Sequence, residues 1–449
     1  MNCLEQHRAA VGLSVITLLA ASLWAVYRIQ TESELPPDIQ ARINRILKDT
    51  PLIDGHNDLP YLLRVELQNK INDDRFTFQE GANSKGTFET SHTDDLLTDK
   101  IRYLGLASHT DLKRLRQGRV GGQFWSVFME CPDTKQIDDP SHIVRDTLEQ
   151  IDVARRFIEA TPELKFCPTA ASAVEAFKAG KIASMLGAEG LHQTGSSIAV
   201  IRQLWDLGVR YITVTHNSDN AYATAAATVT ALGTDSDAGL SPFGALAIHE
   251  MNRLGMMVDL SHTSHRTMRQ VLDIARSPVI FSHSTCYSLA KNFRNTPDDV
   301  IKRLKTNGGV LMVMFVQRFL NATHPESADV ETVVDHIMHI VELAGWDHVG
   351  IGGDFDGTVT LANGIHSVAD YPKLLEAVMR RGATDKQIRK LIGENILRAW
   401  SQNEKNADRF ASEKPIEDVW EGRSWSRWNN PLPNMIPGNP DRIQARDYP

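Results

Sequence analysis

Cysteine is scarce in this chain. Its 449 residues hold four, Cys3, Cys131, Cys167 and Cys286, and no two are spaced as a CxxC pair. A thiolate zinc site is therefore not expected. No long basic tract occurs and the formal net charge is −8, so no nucleic-acid partner is expected. No glycine-rich phosphate loop follows the first apolar run, which argues against a doubly wound dinucleotide fold. One stretch lacks charge altogether. Residues 9–27, "AAVGLSVITLLAASLWAVY", lie between Arg8 and Arg28. At 1.5 Å per residue such a run nearly crosses a ~30 Å hydrocarbon layer. It predicts an N-terminal membrane-spanning signal anchor, with Trp24 and Tyr27 at the interface. Cleavage as a signal peptide stays open, because Ala20, Ala21 and Ser22 are small. The first reading gives a single-pass membrane protein with the remainder extracytoplasmic; the second gives a secreted one. The sequon Asn321-Ala322-Thr323 fits either route.

What is present is a rhythm of short apolar runs. They are "PLIDGHND" (51–58), "VGGQFWSVF" (120–128), "KIASMLGAEG" (181–190), "VRYITVTH" (209–216), "GMMVDLSH" (255–262), "PVIFSH" (278–283), "GGVLMVMF" (308–315) and "HVGIGGDFDG" (348–357). Most are continuous rather than alternating, as strands buried on both faces should be. Between them lie helix candidates at 196–208, 241–255 and 296–309, the last with a Thr cap, Pro in its first turn and Gly at its end. Eight strands alternating with helices predict a (β/α)8 TIM barrel. The expected organisation is residues 1–28 as anchor or signal peptide, 29–50 as stalk and first helix, 51–410 as the barrel with a closing helix at 384–402, and 411–449 as a C-terminal tail packed over it.

The runs end on polar residues of one kind. His56 and Asp58 end the first and Glu189 the third. His216, His262 and His283 end the fourth, fifth and sixth, and Asp354 and Asp356 the eighth. A barrel gathers strand C-terminal ends at one mouth, where active sites are built. Each residue alone has an ordinary reading: a structural histidine, a helix cap for Glu189, turn residues for Asp354 and Asp356. Together they form a site for borderline-hard divalent metals, with zinc first. They are too many for one tetrahedral zinc with an open position. They suit two metals sharing a carboxylate and a water, an arrangement made for hydrolysis. His192, His249, His265, His336 and His339 are read as structural.

At these residues the sequence resembles the membrane (renal) dipeptidase family of the amidohydrolase superfamily. "DGHNDLP", "GGQFWSVF", "GAEG", "THN", "DLSH", "VIFSHSTCYSL", "RNTPDD" and "GIGGDFDG" match it in order and spacing. The match spans roughly residues 45–405. The resemblance implies a (β/α)8 barrel with a binuclear zinc site that hydrolyses dipeptides. It implies that His56, Asp58 and Glu189 hold one zinc and that Glu189, His262 and His283 hold the other, so that Glu189 bridges. It also implies that His216, Arg294 and Asp354 contact substrate. A guanidinium such as Arg294 suits a dipeptide's free carboxylate.

The mechanism expected on this basis has a metal-bridging hydroxide attack the scissile carbonyl, with His216 helping to stabilise the oxyanion and Asp354 passing a proton to the leaving amine. Two rival readings stay open. One is an amidohydrolase acting on another small amide, such as an N-acyl amino acid or a Cys-Gly conjugate. The other is a catalytically dead barrel serving as a binding protein, which should have lost a ligand, and none is lost. The ends depart from the family's lipid-anchored relatives. Here the chain closes on "IPGNPDRIQARDYP" without a hydrophobic tail, and membrane attachment is expected through the N-terminal helix. Cys131 falls where a familiar disulfide begins, but Ser218 stands at the expected partner position. A Cys131–Cys167 disulfide and two buried thiols are both open, as is a homodimer.

Overall fold

The protein was analysed as a computed structural model that describes residues 38–72, 78, 108–131 and 141–421. The expected membrane segment at 9–27 lies outside these residues. Among the described residues, no helix is long and apolar enough to cross a membrane.

The first described helix, Ile39–Asp49, is capped by the Asp38 carboxylate, which accepts from the backbone N–H groups of Gln40 and Ala41. It buries Ile43, Ile46 and Leu47, a one-sided stripe. Its other side carries Arg42 and Arg45, both paired at 2.7 Å with Asp385 of a helix late in the chain. Nine parallel strands follow: β1 (Leu52–Asn57), β2 (Val120–Val127), β3 (Leu164–Phe166), β4 (Ile182–Ala188), β5 (Val209–Thr213), β6 (Met257–Asp259), β7 (Ile280–Ser284), β8 (Val310–Val313) and β9 (Val349–Ile351). Eight of them close a ring, β1-β2-β4-β5-β6-β7-β8-β9, with β9 pairing back to β1. These eight are the eight apolar runs. All their residues are buried, which is why their sequences do not alternate. The ninth, β3, pairs only with the first residues of β4, and its burial runs from buried to exposed to intermediate. Its three residues make no apolar run, so the sequence gives no sign of it.

The barrel interior is packed by Ile53, Phe124, Met185, Tyr211, Met257, Ile280, Val310 and Met312. Trp400 joins that cluster from the closing helix Asn395–Phe410 and stands 5.7 Å from the Phe124 ring. Trp400 is fully buried. The helix therefore seals the end of the barrel opposite the mouth. A second, larger core fills the layer between strands and outer helices. Beyond the closing helix, residues 411–421 are mostly exposed. They are held by Glu413 on Arg276 at 2.7 Å and by the Ile416 carbonyl, which accepts from Arg202 at 2.9 Å. The remainder of the expected tail lies outside the described residues.

The Cys131–Cys167 pairing is not found. Both are free thiols, as is Cys286. Cys167 donates its backbone N–H to Ser184 near the start of β4, while Cys131 follows the end of β2, whose Val127 is level with Ala188. The two lie at least four residues apart along the strand axis, roughly 13 Å at ~3.3 Å per residue, far beyond disulfide reach. The Cys131 Sγ instead lies 3.8 Å from His216 Nδ1, at the mouth.

Candidate metal centre

Six strand ends converge on one centre around the Glu189 carboxylate. His56 lies within β1 and His283 within β7; Glu189 directly follows β4; His216, His262 and Asp354 each stand three residues beyond β5, β6 and β9. Glu189 Oε1 is 3.0 Å from His262 Nε2, 3.2 Å from His283 Nε2, 3.6 Å from His56 Nε2 and 3.9 Å from His216 Nε2. Asp58 Oδ2 is 3.1 Å from His56 Nε2, and His262 Nε2 is 3.0 Å from His283 Nε2. Three overlapping groups have the spacing of a metal's ligands: His56, Glu189 and His283; Glu189, His216 and His262; His56, Asp58 and Asp354. Every metal residue expected from the sequence is among them.

Backbone geometry enforces the arrangement. His262, Asp354 and Asp356 have φ of 65°, 60° and 68°, in the left-handed region that non-glycine residues rarely occupy. Asp58 donates its N–H to the Phe355 carbonyl at 2.9 Å, which ties the end of β1 to the turn that carries Asp354. Gly357 permits this approach: a Cβ there would stand 2.2 Å from Asp58 Oδ2 and 2.6 Å from Asp354 Oδ1. Asp356 is not part of the centre. Its carboxylate accepts from Ser108 Oγ at 2.9 Å and from the His109 N–H, which holds down the 108–111 segment.

The chemistry of the donor set fits divalent cations. Three of the four imidazoles in these groups have Nδ1 engaged by an oxygen: His56 by Tyr211 Oη at 3.0 Å, His283 by Ser282 Oγ at 2.8 Å and His262 by Asn217 Oδ1 at 3.2 Å. With Nδ1 carrying the proton, each Nε2 lone pair points inward. Asp58 Oδ1 is buried and has no hydrogen-bond partner, an orphaned acceptor that a cation would satisfy. Electrostatics strain the cluster. Burial pushes the Glu189 carboxyl up, and burial likewise raises Asp354 to about 7. Burial, with the guanidinium of Arg294 and neighbouring imidazoles, holds His262 and His283 well below the usual histidine range. His56 goes the other way, because Asp58, Tyr211 and Glu189 outweigh its burial. Positive charge placed among these groups reverses such penalties.

Around the centre lie the remaining expected residues. His56 and His283 are fully buried, whereas His216, His262 and Asp354 are partly exposed and form the open side. Phe128 packs on His216 at 4.5 Å and Tyr61 on Phe128 at 5.2 Å, an aromatic wall at the mouth. Arg294 is buried beside the ligands, with Nη1 donating to Ser284 Oγ and Nη2 to the His283 carbonyl, both at 3.0 Å. Its Nε has no partner. Sequence reasoning passed over Tyr211, Asn217, Ser282, Asp54 and Asp259. One sign existed for two of them: Asp54 and Asp259 are carboxylates inside otherwise apolar strands. Asp54 accepts from the N–H groups of His56 and Gly353, at 3.1 and 3.0 Å, and from the Tyr371 hydroxyl.

This fold and site define a metallohydrolase barrel, and comparison with known proteins agrees. A sequence profile of the membrane dipeptidase family (peptidase family M19) matches residues 40–414, and the chain belongs to that family. An uncharacterized dipeptidase of Schizosaccharomyces pombe is 46% identical over 419 residues, 91% of this chain and 94% of that protein. Dipeptidase verJ of Clonostachys rogersoniana is 40% identical over 401 residues, 88% of this chain and 95% of that one. Among solved structures, the probable dipeptidase PvdM from Pseudomonas aeruginosa superposes with a TM-score of 0.67 at 19% identity, over 83% of this chain and 100% of that one. A metallopeptidase from Rhodobacter sphaeroides, liganded with a phosphinate mimic of the dipeptide L-Ala-D-Ala, gives 0.65 at 23% identity, over 79% and 99%. These two likenesses support the barrel fold.

Proposed function

We propose that this protein is a zinc-dependent dipeptidase that hydrolyses dipeptides with a free C-terminal carboxylate. One observation carries the reading: four imidazole Nε2 atoms surround Glu189 Oε1 within 3.9 Å, and the buried Arg294 guanidinium stands beside them. His56, Asp58 and Glu189 would hold one ion, and Glu189, His262 and His283 the other. When bound, the pair supplies Lewis-acid polarisation of the scissile carbonyl and a water of lowered pKa.

The chain's own residues do the rest. Arg294 receives the substrate's terminal carboxylate and so fixes which bond lies over the centre. His216, on the open side 3.9 Å from Glu189, is placed to donate to the carbonyl oxygen as it gains negative charge. Asp354 takes the proton that the attacking water gives up and delivers it to the leaving nitrogen. The aromatic wall of Tyr61 and Phe128 shields this chemistry from one side. The presence of every ligand disfavours a dead barrel, and the buried guanidinium favours an acid over a neutral amide. The family and the names of its relatives support the same reading. Metal analysis of the purified chain, followed by amino-acid release from a dipeptide panel and from the matching C-terminal amides, tests it. A zinc-loaded protein that releases nothing from any dipeptide would overturn it.

A further inference from the structure

We propose that the two metal positions rest on chemically different buried groups, Tyr211 behind His56 and the Ser282–Asp259 pair behind His283, so that each position can be weakened separately. The inference rests on the two-metal reading above.

The hydrogen-bond directions follow from what each atom can do. Tyr211 Oη lies 3.0 Å from the Gly55 carbonyl and 3.0 Å from His56 Nδ1. A carbonyl only accepts, so the phenol proton goes to Gly55 and the phenol oxygen accepts from His56 Nδ1–H. Tyr211 is fully buried. Its ring lies flat over Gly187, where a Cβ would stand 2.0 Å away. At the other position, Ser282 Oγ donates to Asp259 Oδ2 at 2.6 Å and therefore accepts from His283 Nδ1–H at 2.8 Å. Asp259 is saturated: Thr213 Oγ1 adds 2.6 Å to Oδ2, and the N–H groups of Ser261 and Ser282 reach Oδ1 at 3.1 and 2.8 Å. It thus joins β5, β6 and β7 just below His262 and His283. One imidazole is backed by a neutral phenol and the other by a hydroxyl leaning on a carboxylate, and no hydrogen bond joins the two sets. These are positioning residues: they act through the histidines and touch no substrate. Removing such a partner typically weakens metal affinity 10–100-fold.

The experiment equilibrates full-length protein with chelator-buffered zinc and counts bound zinc by elemental analysis. Cobalt(II)-substituted absorption spectra give a signature for each position. The expectation is two ions for the wild type. At a free zinc concentration that just saturates it, Tyr211→Phe and Ser282→Ala should each keep one ion, bind the second 10–100-fold more weakly and lose different cobalt bands. The double variant should lose both, and Ser282→Thr, which keeps the hydroxyl, should restore the second ion. Unchanged affinity in either single variant, or loss of the same cobalt band in both, would overturn the proposal. A wild type holding fewer than two ions at saturation would instead overturn the two-metal reading beneath it.

Discussion

Replacing Arg294 by Met separates recognition of the substrate carboxylate from construction of the site. The guanidinium is 95% buried, since only 5% of the residue is accessible. Of its five N–H groups, two are committed, to Ser284 Oγ and the His283 carbonyl, and the Nε group is unpartnered. A bound carboxylate would take charge-assisted hydrogen bonds from the free donors, at about 1.5–3 kcal/mol. That corresponds to a preference of roughly 10- to 150-fold in kcat/KM for a dipeptide over its C-terminal amide. The scissile bond is the same in both. Arg294→Met should therefore abolish most of this ratio. It should also slow the amide somewhat, because the lost bond to the His283 carbonyl loosens a candidate metal ligand. The ratio, not either rate, is the readout. The alternative role, ordering the loop by pairing with Asp298 or Asp299, has no place in the fold. Asp298 is held by His339 and Ser288, and Asp299 by Arg269 through two bonds of 2.7 and 2.9 Å. An acid-to-amide preference that survives the substitution would refute the reasoning.

Four further outcomes are expected. Glu189→Gln keeps the volume but removes the charge shared by four imidazoles; bound metal should fall by at least one ion and turnover should vanish, checked by elemental analysis beside a dipeptide assay. Ser218→Cys should form a disulfide with Cys131, because Ser218 neighbours the Cys131 thiol two residues from His216, which that thiol touches, and closing a loop of roughly 90 residues should add up to about 4 kcal/mol; non-reducing peptide mapping that finds two free thiols there would count against it. Burial holds His336 at about 4 rather than 6.5. The unfolded chain then binds a proton that the native state refuses, so stability is full above pH 6.5 and falls by about 3 kcal/mol as pH drops towards 4. His336→Gln, which can still accept from the Cys286 N–H and donate to the Leu320 carbonyl as the imidazole does, should flatten that slope in urea titrations. A chain beginning at Glu34 retains the Asp38 cap and every site residue, so it should be soluble and fully active, while the full chain should sediment with membranes after a carbonate wash.

The barrel was legible because its strands are buried on both faces, which turns each into a continuous apolar word. The convergence of the candidate ligands was legible for a related reason: a polar residue at the end of such a word, repeated on most strands, is hard to place anywhere but a shared mouth. Their supports were not. Tyr211 and Ser282 act through single oxygen atoms inside apolar strands, and nothing in "VRYITV" or "VIFSH" distinguishes a hydroxyl that orients an imidazole from one that fills space. Asp356 resembled Asp354 in sequence, yet it turns outward to fasten the segment at Ser108 and His109. The cysteine pairing stayed open because sequence distance carries no information about which end of a barrel a loop occupies; the structure has both thiols free.

The sealed floor under the barrel has a kinetic consequence. With Trp400 filling the end opposite the mouth, the described residues leave the chamber open at the mouth and closed at the floor. On the proposed reading, both amino acids released by cleavage leave by the mouth, and the one whose carboxylate Arg294 would hold sits against a buried side chain. The amino-terminal product then departs first. The carboxyl-terminal amino acid becomes the last tenant, and its free form, supplied from outside, competes directly with incoming substrate.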